Sequence, residues 1–131
     1  MSIPITGPES LAHQKAKLRL FQIVKQMGMV ADFEIRTGTT ETALGKRNFT
    51  ADIFAFWYDA GSRTFKKIIF EVDWKHHNTE RNINRDNNRD KAHKEKGIQT
   101  VRILTPDLIG KKKIDDATIK ADILWQLNIQ K

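Results

Sequence analysis

Residues 65–104 constrain the fold of this chain most. Phe65 to Trp74 reads FKKIIFEVDW and Ile98 to Leu104 reads IQTVRIL. Both runs are rich in β-branched and aromatic residues, which suit strands. Between them, Thr79 to Lys96 is highly charged, with Ile83 and Ala92 its only large departures from polarity, and Gly97 then supplies a helix stop. Two strands joined by a helix-length polar segment fit a crossover connection. Such a connection lets the strands lie parallel in one sheet.

Upstream elements complete the pattern. Residues 10–27 predict an amphipathic helix. Ala12, Ala16, Leu20, Ile23 and Met27 recur at helical spacing with Val24 beside them, while Lys15, Arg19 and Lys25 fall off the stripe. Ser10 is the expected N-cap and Gly28 the residue that ends the helix. MVADFEIR (29–36) reads as a strand, TGTTETALGKRN (37–48) as a polar hairpin loop, FTADIFAFWY (49–58) as a strong strand and DAGSR (59–63) as a turn. Thr105-Pro106-Asp107 is a second turn. Residues 114–129 form a last helix, with Ile114, Ala117, Ala121, Leu124 and Leu127 on its expected inner face. The order α-β-β-β-α-β-α gives an α/β fold, a mixed sheet flanked by helices with an extra C-terminal helix. At 131 residues it is a single domain: an irregular arm over 1–9, a core over 10–104, and a C-terminal turn and helix over 105–131.

Composition narrows the function. Lys and Arg number 23 against 16 Asp and Glu, for a net charge of +7, which favours a polyanionic partner, nucleic acid first. There is no cysteine, so disulfides, thiolate nucleophiles and cysteine zinc sites are excluded. That fits a cytoplasmic protein, nucleoid-associated in a bacterium or archaeon. No apolar run has the length of a membrane span, and residues 1–10 lack the pattern of a signal peptide.

Side chains alternate along a strand. Ile69, Glu71, Asp73 and Lys75 therefore share one face of the third strand, and Ile68, Phe70, Val72 and Trp74 the other. On the second strand Asp52 falls on the face of Phe54 and Phe56. Acids clustered at the end of an apolar strand are costly to bury without partners. They make sense where the strand opens into a cleft that takes a hard cation such as Mg²⁺. Such an ion polarises a phosphodiester and activates a bound water. Lys75 is the candidate to position that water. The bland alternative is a solvated strand edge with a surface ion pair. In 76–96, Arg81, Arg85 and Arg89 stand four apart on one helix face and suit phosphate oxygens, with Asp86 and Asp90 in a parallel row. A helix laced with ion pairs is the alternative there. His77 is the candidate proton carrier among His76, His77 and His93. Their spacing matches no zinc pattern.

This ordered series resembles the PD-(D/E)xK, or restriction-endonuclease-like, nuclease superfamily over residues 10–104. FEVDWKHH…RDNNRDKAHKEKGIQTVRIL looks like its very-short-patch-repair-like branch, in which an E-x-D strand end is followed by a His, an Arg/Asp-rich helix and an Arg in the last strand. The resemblance implies an αβββαβ core. It implies metal binding by Asp52 and Glu71, with Asp73 standing where the superfamily has its Lys. Either Asp73 is a further ligand or the motif is Asp73-x-Lys75. Ala51 replaces the motif's Pro. Glu34 is the preferred fourth acid, ahead of Glu9, and Arg102 matches the branch's last-strand Arg.

The expected activity is a Mg²⁺-dependent DNA endonuclease, with Mn²⁺ as a substitute ion, leaving 5′-phosphate and 3′-hydroxyl ends. Lys15, Arg19, Arg81, Arg85, Arg89 and Arg102 would contact DNA. A homodimer is expected because two nicks in a duplex need two sites, with Trp125 and Ile129 as its surface. The alternatives are a non-catalytic DNA-binding module of the same fold, a junction or other structure-specific nuclease, and an RNA-directed nuclease.

Overall fold

The computed structural model of the chain describes residues 11–33, 36–42, 45–74 and 90–129. Helix α1 (Leu11–Gln26) is followed by β1 (Val30–Phe33), β2 (Arg36–Thr42), β3 (Gly45–Thr50), β4 (Ile53–Asp59) and β5 (Thr64–Asp73). Residues 90–95 are helical (α2). Strand β6 (Ile98–Leu104), a short helix α3 (Thr105–Leu108) and helix α4 (Asp116–Ile129) complete the chain.

The main sheet has the order β1-β4-β5-β6. β4 runs antiparallel to both β1 and β5, and β6 runs parallel to β5. The sheet is thus mixed, and its parallel pair is the one that the charged crossover required. Among the described residues no helix is long and apolar enough to cross a membrane.

The two faces of the sheet differ. Ile53, Ala55, Ile68, Phe70, Val72, Val101 and Ile103 pack with Ala16, Leu20, Ile23 and Val24 of α1, Leu108 of α3, and Ile119, Ile123 and Leu127 of α4. Burying a side chain of this size contributes about 1.5–3 kcal/mol, so this layer dominates the stability. The opposite face carries a much smaller cluster, Ala51, Ile69 and Ile98 with Phe54 against it. Alternation places Glu71 and Arg102 on this thinner side, in register on adjacent strands.

Helix α1 ends as its sequence indicates. Gly28 takes a φ of +88°, a left-handed conformation that closes the last turn and that a side chain would strain. Gly97 does the same before β6 at +75°. The DAGSR turn joins β4 to β5, with Asp59 accepting the Gly61 N–H at 3.0 Å and the Ser62 hydroxyl at 3.1 Å.

Four expectations need correction. The polar segment 37–48 is largely strand, because β2 pairs with β3 from Arg36↔Thr50 to Thr42↔Gly45 in a separate two-stranded sheet. Its β-branched threonines outweigh its glycines. The segment 49–58 is two strands, broken by a bend at Asp52. Thr105-Pro106-Asp107 opens a helical turn, with Pro in the first turn where its missing N–H costs nothing. In α4 the inner row is Ile119, Ile123 and Leu127, and Leu124 is exposed. That bulkier row hides more apolar surface than Ala117 and Ala121 would.

Candidate functional site

The site begins where β4 does. The antiparallel ladder between β4 and β5 stops at Ile53↔Phe70. Beyond it the chain bends at Asp52, and the Asp52 side chain takes over where backbone pairing ends. Its Oδ2 accepts the Val72 N–H at 2.8 Å. That N–H belongs to the peptide joining Glu71 to Val72, so Asp52 is fastened one peptide bond from Glu71. The bend, rather than strand alternation, aims this carboxylate. Asp52 thus lies in a bend between β3 and β4 and not within a strand as expected.

Glu71 is only 6% exposed and Asp73 is half-buried. A carboxylate as enclosed as Glu71 needs compensating positive charge or hydrogen bonds. Parallel register puts Arg102 of β6 beside Glu71 and Leu104 beside Asp73. The Arg102 guanidinium is gripped by Asp90 of α2 in a two-pronged pair, Nη1 to Oδ2 at 2.9 Å and Nη2 to Oδ1 at 2.8 Å. This pair ties α2 to the thinner face of the sheet. Asp90 therefore steadies an arginine of β6, and the part-exposed guanidinium of Arg102, expected at DNA, is engaged by that carboxylate.

Among the described residues no three His, Asp or Glu side chains converge as a preformed metal cage. Mg²⁺ does not require one. It dehydrates reluctantly, keeps several waters, and is held by one or two carboxylates together with substrate phosphate oxygens. Asp52 and Glu71 supply hard oxygen donors of the kind that mode of binding uses. They do not fit a high-coordination calcium cage or a nitrogen- and sulfur-ligated zinc.

One member of this region was not legible in the sequence. His13, in the first turn of α1, places Nε2 2.7 Å from the Val72 carbonyl oxygen and 4.0 Å from Asp52 Oδ2. A carbonyl only accepts, so Nε2 carries the hydrogen. Lys17, one turn further along the same flank of α1, is 2% exposed. Periodicity marks both as polar positions at the margin of the apolar stripe. Their proximity to strand ends depends on how α1 crosses the sheet.

Arg19 was expected at the DNA backbone. Its Nη1 donates to the carbonyls of Asp107 (3.2 Å) and Leu108 (2.7 Å), and its Nη2 to the Ile114 carbonyl (2.7 Å) and Asp116 Oδ1 (2.8 Å). It is a clamp between α1 and the α3–α4 segment. Lys15 is exposed on α1. Trp125 and Ile129 are 61% and 58% exposed on α4. Glu34, Lys75, His77, Arg81, Arg85 and Arg89 lie outside the described residues, as do Glu9 and Ser10. No protein-family model matches this chain, and no curated protein matches it.

Proposed function

We propose that this chain is a metal-dependent DNA endonuclease with a restriction-endonuclease-like core. The observation that carries the reading is the junction of Asp52 with the Glu71–Val72 peptide at the open end of the β4–β5 ladder. Asp52, at the bend before β4, is fastened there to the peptide that leads from Glu71, an acid on the side of β5 with little apolar cover. A mixed sheet with a parallel β5–β6 pair and helices around it also supports the assignment.

In this reading Asp52 and Glu71 hold Mg²⁺, or Mn²⁺ in its place, and Asp73 extends the donor set. When bound, the ion polarises the scissile phosphodiester and lowers the pKa of the attacking water. Asp52 keeps one oxygen on the Val72 N–H and presents the other. The enclosure of Glu71 fixes its direction before substrate arrives, which is the preorganisation that electrostatic catalysis needs. Lys75 orients the water, His77 carries a proton, and Glu34 is the additional acid. Exposed Lys15, with Arg81, Arg85 and Arg89, contacts phosphates, while Arg19 and Arg102 serve the fold. The products carry 5′-phosphate and 3′-hydroxyl ends. The active species is a cytoplasmic homodimer joined through α4 at Trp125 and Ile129.

A second reading is a non-catalytic DNA-binding module, in which Asp52 serves only to pair the Val72 N–H at the end of the ladder. Cleavage of supercoiled plasmid and of labelled duplex, junction and single-stranded DNA and RNA separates the readings. The series uses Mg²⁺, Mn²⁺ or EDTA, with Asp52→Asn and Glu71→Gln as controls. Asn keeps an oxygen for the Val72 N–H, whereas Ala would strip it. EDTA-sensitive cutting lost in both variants is the expected result. Metal-independent binding of DNA without cutting by the wild type would sink the nuclease and leave the module.

A further inference from the structure

We propose that His13 is a positioning residue of the carboxylate site, an inference that rests on the metal-dependent reading above. The last paired residues on the β4 side are Ile53 and Phe70, so Val72 lies past the ladder with its N–H and C=O both in need of partners. Two side chains supply them. Asp52 Oδ2 takes the N–H at 2.8 Å and His13 Nε2 gives its hydrogen to the C=O at 2.7 Å.

These two bonds act on different peptides. The Val72 N–H belongs to the peptide that leads from Glu71, and the Val72 C=O to the peptide that leads into Asp73. Asp52 and His13 together fix the two peptide planes between Glu71 and Asp73, and therefore the relative direction of the acids. The same Nε2–H lies 4.0 Å from Asp52 Oδ2, where it adds a favourable charge–dipole contact to the oxygen already turned toward Val72. Both of these contacts are to Oδ2. The His13 side chain is 18% exposed and that of Asp52 is 23% exposed, so water competes only partly for these bonds. Residues that orient ligands from behind in this way typically change metal affinity by about 10–100-fold when removed.

The test uses the full chain as wild type, His13→Ala, His13→Leu, His13→Gln and Asp52→Asn. Mn²⁺ affinity is measured by electron paramagnetic resonance, and the Mg²⁺ concentration for half-maximal cleavage is measured beside it. Thermal unfolding in EDTA identifies which variants are folded. Removal of the donor should weaken Mn²⁺ binding about 10–100-fold and raise the Mg²⁺ requirement in step, with the rate at saturating Mg²⁺ changed less. Gln, whose amide nitrogen can reach the Val72 carbonyl, should recover most of the affinity. Leu fills the ring's volume without a donor and decides the matter if Ala does not fold. Wild-type metal affinity in a folded Ala or Leu variant would overturn the role of His13 alone. So would a folded Gln variant as weak as they are. If the wild type binds Mn²⁺ no better than Asp52→Asn, the metal-dependent reading itself falls, and the role of His13 with it.

Discussion

Replacing Arg19 by Ala separates a structural arginine from a DNA-binding one. The guanidinium makes four hydrogen bonds, three of them to backbone carbonyls of residues 107–114. Hydrogen bonds from a charged donor contribute about 1.5–3 kcal/mol when well shielded. Arg19 is 22% exposed and Asp116 50% exposed, so the ion pair adds little, about 0.5 kcal/mol. The three carbonyl bonds share one side chain and are partly replaceable by water, so about 1 kcal/mol each is the reasonable scale. The total loss is about 3 kcal/mol, which in a chain of this length lowers Tm by about 10 °C. Arg19→Lys should recover less than half, because an ammonium cannot address carbonyls on both sides of the α3–α4 segment. Denaturant and thermal unfolding give the stabilities, and DNA binding across a salt series gives the phosphate contacts. A loss below about 0.5 kcal/mol, the range of ordinary surface substitutions, would refute the clamp. A salt slope reduced by about one would return Arg19 to the DNA interface.

Other outcomes follow from the same contacts. Gln126 closes the outer edge of β6, accepting the Arg102 N–H at 3.0 Å and donating to the Arg102 carbonyl at 2.9 Å. Gln126→Leu should cost about 1–2 kcal/mol and speed hydrogen exchange at the Arg102 amide; unchanged protection there would refute the edge-closing role. Arg102→Gln should leave the salt slope of DNA binding unchanged, since Asp90 holds the guanidinium; a slope lower by about one would mean that Arg102 reaches phosphate. Hydrogen bonds from Ser62 and the Gly61 N–H hold the Asp59 carboxyl below its ordinary pKa of 3.8, and those from Thr118 do the same to Asp115. A depressed folded-state pKa contributes stability that is complete above the unfolded value and is lost as pH falls through the folded one. The acid titration of stability should therefore extend below pH 3.8, and Asp59→Asn with Asp115→Asn should flatten that limb. An unchanged acid limb would rule out both contributions.

Much of the frame is legible because it rests on period and punctuation. The helical stripe of Ala16, Leu20, Ile23 and Val24, the limits of β6, and the glycines at 28 and 97 are local signals that tertiary contacts reinforce. The failures have a common cause. Where two local readings compete, packing decides: β-branched threonines against glycines in 37–48, and Ile119 and Ile123 against Ala117 and Ala121 in α4. Side-chain function was less legible still. Arg19 and Lys15 are equivalent basic residues of one helix in the sequence, yet one bonds four acceptors inside the fold and the other faces solvent. His13 is invisible for the same reason. Its partner is a main-chain carbonyl 59 residues away, and no spacing rule reaches that far.

Asp52 shows why the candidate site and the fold are hard to separate here. A strand that ended without it would leave the Val72 N–H unpaired, a loss of about 1–3 kcal/mol. The carboxylate thus has a structural reason to exist apart from any metal. That reason does not account for its being an acid, because an Asn or Ser oxygen accepts an N–H as well. Nor does it account for Glu71, an acid 6% exposed on the thinly covered face of the same strand end. An enclosed carboxylate such as Glu71 raises the cost of folding unless partners offset it. In the metal-dependent reading, the charge at these two positions serves the ion. Asp52→Asn, which keeps an oxygen for the Val72 N–H, is thus expected to fold about as stably as the wild type while losing metal-dependent cleavage.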